Sequence, residues 1–113
     1  MIDIREGNMR FKGTIGETLA KDFLLKTGFI ILKQNIYTRF GELDIIAKKM
    51  NRGHVIEVKL LQQEYFNLGY KINRKKRQRM IKSTHIISDR LNLSHLYFQF
   101  DLITIIGNQI KHF

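Results

Sequence analysis

The chain has 113 residues, no cysteine and no proline, and 43% of its residues are hydrophobic. This length predicts one domain over residues 1–113, and the apolar fraction suffices for a core, which argues against a disordered tail or a multidomain protein. Without cysteine there is no disulfide, thiolate zinc site or cysteine nucleophile, so any metal site must use carboxylates or histidines. No segment resembles a signal peptide or reaches the roughly 18 apolar residues of a membrane span, so we expect a cytoplasmic protein with no membrane partner.

The charge is strongly basic, with 20 Lys and Arg against 10 Asp and Glu and a formal net charge of +10. On so small a surface this surplus predicts attraction to polyanions, above all nucleic acid. Two weaker alternatives are a general compositional bias toward lysine and isoleucine, and a basic helix that docks on an anionic membrane. The charge therefore predicts a class of partner and leaves the function open.

The first predicted element is a helix that follows an N-terminal extension over residues 1–12. Thr14 and Glu17 have the spacing of an N-terminal capping box, and Gly28 ends the helix near Thr27. Three strands follow the helix, because Ile-rich and β-branched runs alternate with turn residues. These strands are predicted over residues 29–37, 42–48 and 54–61, with turns at 38–41 and 50–53.

The second half of the chain contains a predicted loop over residues 62–70 and a long helix from Lys71 to about Leu91. Five residues place an apolar stripe on this helix, namely Ile72, Met80, Thr84, Ile87 and Leu91. A buried strand is predicted over residues 96–106, and residues 109–113 would pair back through a turn at Gly107 and Asn108. The order αβββαβ, with a further short strand, predicts an α/β fold in which helices flank a sheet.

Four of the ten acidic residues fall on three adjoining predicted elements: Glu17, Glu42, Asp44 and Glu57. In a strand, alternate residues share a face, so Glu42 and Asp44 should lie on one face of theirs, and Glu57 and Lys59 on one face of the next. A hairpin that turns at residues 50–53 sets Asp44 opposite Glu57 or opposite Lys59. Either register predicts that Asp44, Glu57 and Lys59 share one face of the sheet.

Charged groups on central strands are costly unless they are paired or bind a metal. Mg²⁺ is usually held by one or two carboxylates with waters and substrate phosphate at about 2.0–2.1 Å, and Asp44 and Glu57 would supply such ligands. Lys59 would then orient the attacking water or stabilise the negative charge that develops on a phosphodiester. The alternative for these three residues is a cross-strand salt bridge on a half-exposed sheet. For Glu17 the alternative is capping alone, and Glu42 is more typical of a solvated charge at the start of a strand.

Seven basic residues lie between Lys71 and Lys82, and most would form a solvated helix face or track a nucleic-acid backbone. Lys76 falls on the apolar stripe, so it should face the sheet and contact a substrate phosphate. The predicted nucleic-acid-binding residues are Arg74, Lys75, Lys76, Arg77 and Arg79. The four histidines show no metal-ligand spacing and are predicted to be structural or surface residues: His54, His85, His95 and His112.

Several short motifs in this order resemble the YraN-like family of small bacterial proteins. They are Gly16-Glu17, Gly28-Phe29, Asn35, the run Gly41-Glu42-Leu43-Asp44-Ile45-Ile46-Ala47, Glu57-Val58-Lys59, Lys76 and Phe100-Asp101-Leu102. That family belongs to the PD-(D/E)xK nuclease superfamily, so the resemblance implies a restriction-endonuclease-like core, with a central mixed β-sheet flanked by helices. It also implies that Asp44 and Glu57 are metal ligands, that Lys59 is the catalytic lysine and that Glu17 is an acid at the edge of the site.

Two departures from the superfamily pattern concern neighbours of these residues. Leu43 stands where the signature has proline, and Leu60 and Leu61 follow Lys59 where relatives usually have a polar or basic pair. Both departures bear on substrate contacts, and neither removes a predicted ligand.

The sequence therefore predicts a nuclease that uses Mg²⁺ or Mn²⁺ to hydrolyse phosphodiester bonds in nucleic acid. DNA, including branched DNA, is the first expectation, and RNA stays open. The predicted catalytic residues are Glu17, Asp44, Glu57 and Lys59. The alternative is a non-catalytic nucleic-acid-binding accessory protein with the same fold. An activity on branched DNA would favour a homodimer that meets two strands.

Overall fold

The computed structural model describes residues 4–61 and 74–113, with side chains described from residue 15 onward. The predicted loop over residues 62–70 and the predicted helix start at residues 71–73 lie outside the described residues. The elements are α1 (Ile4–Lys26), β1 (Ile30–Thr38), β2 (Gly41–Lys49), β3 (Arg52–Leu61), α2 (Arg74–Arg90), β4 (Tyr97–Ile106) and β5 (Gln109–His112). The strands form one mixed sheet in the order β1-β2-β3-β4-β5, in which β3 and β4 run parallel and the other neighbouring pairs run antiparallel. The α/β class predicted from the sequence is confirmed.

Helix α1 begins at Ile4, well before the predicted cap at Thr14. Thr14 therefore lies within the helix and cannot be its N-cap, so the capping-box interpretation of Glu17 is wrong. The helix continues through Gly7 and Gly13 because an isolated glycine costs only about 1 kcal/mol relative to alanine and does not by itself end a helix. As a result, Glu17 has no capping role to account for its position.

The predicted C-terminus of α1 is confirmed. The helix ends at Lys26, and Gly28 adopts a φ of 95°, a backbone conformation that glycine reaches without a steric cost. The Phe29 amide donates to the Leu24 carbonyl at 2.9 Å and the Gly28 amide donates to the Leu25 carbonyl at 3.4 Å. This pair of bonds is the Schellman arrangement, and it directs the chain from α1 into β1.

The hairpin of β2 and β3 determines where the acidic residues meet. Its backbone pairing runs from Lys49 opposite Arg52 to Ile45 opposite Ile56 and ends there, although β2 stays paired with β1 as far as Gly41. One residue further in the same register, Asp44 comes opposite Glu57, which is the first of the two predicted alternatives. The two acids therefore lie just beyond the point where β2 and β3 separate.

The sheet has a hydrophobic core on each face. On the α1 side, Ala20 and Leu24 pack with strand residues that include Ile45 and Ile56, whereas on the α2 side Met80 and Ile87 pack with Ile46 and Val55. Leu43 packs on the α2 side with Ile46, not with Ile45 as strict alternation predicts. The alternation therefore breaks at Asp44, between Leu43 and Ile45.

The apolar stripe predicted on α2 is confirmed for its described members. Met80, Thr84 and Ile87 are buried, and Leu91 packs against the same cluster. The predicted Ile72 lies outside the described residues. Among residues 4–61 and 74–113, no helix is both long and apolar enough to cross a bilayer.

Two of the four histidines hold β3 and β5 to β4. His54 Nδ1 and His112 Nε2 each lie 2.7 Å from the same oxygen of Asp101, whose side chain is only 2% exposed. Because a carboxylate accepts hydrogen bonds, each of these ring nitrogens carries the proton that is donated. This is the structural role predicted for histidine, and His85 and His95 are exposed.

Candidate active site

The four acidic residues singled out in the sequence come together at the open end of the β2–β3 hairpin, where the two strands separate. One carboxylate oxygen each from Glu17, Glu42 and Asp44 lie within 4.8 Å of one another. The Asp44 and Glu57 side chains are hydrogen-bonded to each other. Helix α1 reaches this point because it approaches β3 closely at Gly16, where an added Cβ would lie 3.7 Å from side-chain atoms of Val58 and Leu60.

The structure brings the side chains of Asp44, Glu57 and Lys59 together: Asp44 is hydrogen-bonded to Glu57, and Lys59 Nζ lies 3.8 Å from Glu57 Oε2. Asp44 is approached by Glu17 of α1, whereas Glu57 is approached by Lys76 of α2, from the opposite face. The reason is the break in alternation at Asp44, where β2 leaves β3. The acids are therefore gathered around the end of the hairpin, and the site lies between the two helices.

Glu17, Glu42, Asp44 and Glu57 form an acidic cluster, and Asp44 is its centre. Its Oδ2 accepts a hydrogen bond of 2.9 Å from the Val58 amide, which fixes the carboxylate at the separation of the two strands. Burial raises the pKa of Asp44 to about 7, and the negative charges of Glu57 and Glu17 add to this effect, although the Val58 bond opposes it. Near neutral pH both the protonated and the charged form of this carboxyl group are therefore populated, and a bound cation would favour the charged form.

Glu17 is held in the cluster by a residue that pattern analysis did not single out. Burial raises the pKa of Glu17, a hydrogen bond with the Asn35 side chain opposes the increase, and the charge of Glu42 contributes to it. Asn35 lies within β1 with a φ of 52°, in the left-handed region that asparagine tolerates better than most residues. Asparagine inside a strand pattern was the only local signal, and the sequence connected Asn35 with the site only through the family resemblance.

Two lysines neutralise the other end of the cluster. The Lys76 ammonium donates a hydrogen bond to Glu57 Oε2, and Lys59 Nζ lies 3.8 Å from the same oxygen. The Glu57 side chain is 7% exposed, whereas those of Lys59 and Lys76 are 36% and 33% exposed. Lys76 thus faces the sheet, and both lysine side chains are partly exposed to solvent.

The other bases predicted on α2 lie on its outer surface. Arg74, Lys75, Arg77 and Arg79 all lie at least partly in solvent. This position is compatible with solvation and with binding to a nucleic-acid backbone, so the role predicted for these residues stays a prediction.

The turn between β1 and β2 extends the basic surface of α2 in a way the sequence did not reveal. The hydroxyl groups of Thr38 and Ser83 share a hydrogen bond of 2.7 Å that ties this turn to α2. Arg39 Cζ lies 4.9 Å and Lys82 Nζ lies 5.3 Å from the centre of the Phe40 ring, within the range of cation–π attraction. Nothing periodic in the sequence connects the turn with a helix whose Ser83 is 45 residues away.

The donor atoms of the acidic cluster fit a hard divalent cation. All are carboxylate oxygens, three of them are within 4.8 Å of one another, and mutual repulsion contributes to the raised pKa of Asp44. Mg²⁺ and Mn²⁺ prefer such oxygen ligands. Asp44 is common to the two available ligand sets, which are Asp44 with Glu57, as the sequence predicted, and Asp44 with Glu17 and Glu42.

These features define an α/β protein with a mixed sheet between two helices and an acidic cluster beside two lysines at the end of its central hairpin. Residues 16–105 match the family described as "Uncharacterised protein family UPF0102", and the chain belongs to this family. It is 41% identical over 99 residues to a UPF0102 protein of Campylobacter jejuni, covering 88% of this chain and 87% of the relative. It is 36% identical over 100 residues to a UPF0102 protein of Clostridium tetani, covering 85% and 80%. A UPF0102 protein of Sulfurimonas denitrificans is 35% identical over 103 residues, covering 91% and 93%.

Proposed function

We propose that this protein is a metal-dependent endonuclease of the PD-(D/E)xK type, with a restriction-endonuclease-like core, and that it hydrolyses phosphodiester bonds in nucleic acid. The observation that carries the proposal is the meeting of four carboxylates and two lysine ammonium groups at one end of the β2–β3 hairpin. A purely electrostatic nucleic-acid binder with a net charge of +10 would have no use for such a concentration of acids. The order of the motifs, which resembles that of the YraN-like family, supports the same reaction.

In this proposal Asp44 and Glu57 hold Mg²⁺ or Mn²⁺, with Glu17 and Glu42 at the border of the site. A bound divalent cation would act as a Lewis acid and lower the pKa of a coordinated water. The Val58 amide fixes the Asp44 carboxylate, and Asn35 positions Glu17.

The cationic residues act on the substrate. The Lys59 ammonium orients the attacking water and stabilises the negative charge that develops on the phosphorus oxygens. Lys76 and the outer bases of α2 hold phosphate groups on either side of the bond that is cut. The expected substrate is DNA, including branched DNA, with RNA as the second possibility, and cutting a branched substrate favours a homodimer.

A second candidate function is non-catalytic binding of nucleic acid, by an accessory protein with the same fold. The ion pair between Lys76 and Glu57 favours it, because that carboxylate is neutralised without any metal. In this case the acids serve as partners in structural ion pairs, and the basic residues alone carry the function.

A cleavage assay separates the two candidates. Wild-type protein and the variants Asp44→Ala, Lys59→Ala and Lys33→Ala are incubated with linear DNA, branched DNA and RNA in Mg²⁺ or Mn²⁺. Lys33 is an exposed lysine on β1 and controls for the removal of one positive charge. We expect wild type and Lys33→Ala to cut, and the other two variants to cut at least about 100-fold more slowly. No cleavage of any substrate, or equal cleavage by all four proteins, would leave binding as the function.

A further inference from the structure

The contact between Lys76 and Glu57 joins a residue of α2 to the buried end of β3. Lys76 donates a hydrogen bond to Oε2 of Glu57, which Lys59 approaches only to 3.8 Å. A carboxylate that is 7% exposed requires a compensating positive charge, because an uncompensated buried charge costs several kcal/mol. In this structure that charge comes mainly from Lys76.

A divalent cation held by Glu57 would need the same carboxylate that Lys76 occupies. Two cations that approach one carboxylate at hydrogen-bond and coordination distances repel each other, and this repulsion is weakly screened in a buried site. The ammonium group and the metal are therefore competitors for Glu57.

Lys76 is able to leave Glu57 without movement of its helix. Met80, one turn further along α2, is 5% exposed and anchors the helix in the core. The Lys76 side chain is 33% exposed and ends in an ammonium on a flexible four-carbon stem. Its ammonium can therefore turn from the carboxylate toward a ligand phosphate while the backbone stays in place.

We propose that Lys76 takes the place of the divalent cation at Glu57 in the metal-free protein and transfers to a substrate phosphate when the cation binds. This inference rests on the proposed nuclease function and describes how the metal and the substrate phosphate affect each other's binding at its site. Phosphate draws Lys76 away from Glu57 and so frees the carboxylate for the metal, whereas the metal takes Glu57 and so frees Lys76 for phosphate. Each ligand therefore strengthens the binding of the other. The pair thus makes the site bind metal weakly until nucleic acid is present.

The test is the affinity for Mn²⁺ in the absence of nucleic acid, measured by isothermal titration calorimetry on wild type, Lys76→Met and Lys75→Met. Lys75 is the exposed neighbour of Lys76, so its substitution removes the same charge without touching Glu57. We expect Lys76→Met to bind Mn²⁺ roughly tenfold more tightly than wild type, and Lys75→Met to differ from wild type by less than about twofold. Equal or weaker binding by Lys76→Met would overturn the proposal.

A second measurement on the wild-type protein covers the case in which Lys76→Met does not fold. Nuclear magnetic resonance of the lysine ammonium groups is recorded during a titration with Mg²⁺. We expect the Lys76 signal to shift and its protons to exchange faster with water as the pair with Glu57 opens. An unchanged Lys76 signal at saturating Mg²⁺ would overturn the proposal.

The outcomes also separate this inference from the nuclease proposal. If wild-type protein cuts nucleic acid but Lys76→Met binds Mn²⁺ no more tightly than wild type, only the proposed transfer of Lys76 from Glu57 to phosphate is wrong. If neither protein binds Mn²⁺ and wild type does not cut, both proposals fail.

Discussion

Replacing Asp44 with asparagine removes the charge at the centre of the acidic cluster and keeps the size of the side chain. The amide oxygen of asparagine can still accept the hydrogen bond that the Val58 amide donates to Asp44 at 2.9 Å. The substitution therefore isolates the electrostatic cost of the carboxylate from its role in the backbone structure.

The direction of the effect follows from the raised pKa. The pKa of Asp44 rises from 3.8 to about 7 on folding, so the protonated form is favoured in the folded state. Wild-type protein then loses stability as the pH rises from about 4 to about 7, while Asp44→Asn has no such loss. A shift of roughly 3 pKa units at about 1.36 kcal/mol per unit sets an upper limit of about 4 kcal/mol. Because the side chain is only partly buried, we expect about half of this, or roughly 2 kcal/mol.

The assay is urea denaturation followed by circular dichroism, at about pH 4 and about pH 8, with a chelator present. Asp44→Asn should be more stable than wild type by roughly 2 kcal/mol at the higher pH and nearly equal to it at the lower pH. Asp22→Asn, at an aspartate of α1 outside the acidic cluster, is the control and should change stability by less than about 0.5 kcal/mol at both values. A difference between Asp44→Asn and wild type that is the same at both pH values would show that the charge of Asp44 does not cause it.

Two further predictions concern the basic helix and the buried aspartate of β4. The first concerns three bases in the first turn of α2, namely Arg74, Lys75 and Arg77. Replacing them should flatten the salt dependence of DNA binding by slightly under one unit of log–log slope for each phosphate that is no longer neutralised. An unchanged slope would assign these bases to solvation. Burial alone would raise the pKa of Asp101, but hydrogen bonds from Gln99, His112 and His54 outweigh it and lower the pKa. Asp101→Asn should therefore be less stable than wild type by roughly 2 kcal/mol at pH 7, and this difference in the free energy of unfolding should shrink below about pH 4. A difference that stays constant with pH in the same urea assay would contradict this prediction.

The parts of the fold that the sequence predicted are those governed by local pattern. Gly28 ends α1 because only a residue tolerant of positive φ suits that position, and the apolar stripe of α2 follows from helical spacing. The position of its turn limited the hairpin register to two alternatives, and the observed pairs, which end at Ile45 opposite Ile56, follow the register that would continue to Asp44 opposite Glu57. The direction of Lys76 toward the sheet followed from the same stripe.

Other features depend on tertiary contacts that leave no local pattern. The break in alternation between Leu43 and Ile45 was not predicted, because β2 leaves β3 at Asp44 and strict alternation holds only for continuous pairing. The start of α1 was missed because Thr14 and Glu17 have the spacing of a cap without being at a helix end. The attachment of the β1–β2 turn to α2 through Thr38 and Ser83 is a contact between residues distant in sequence.

Cleavage by wild type compared with cleavage by Asp44→Asn decides whether the acidic cluster is a nuclease site. Both proteins are incubated in Mn²⁺ at about pH 8 with labelled linear and branched DNA and with RNA, after urea denaturation has shown that both are folded. We expect wild type to cut at least one of these substrates and Asp44→Asn, although at least as stable, to cut it at least about 100-fold more slowly. Equal cleavage by the two proteins, or none by wild type, would contradict the claim that the acidic cluster is a nuclease site.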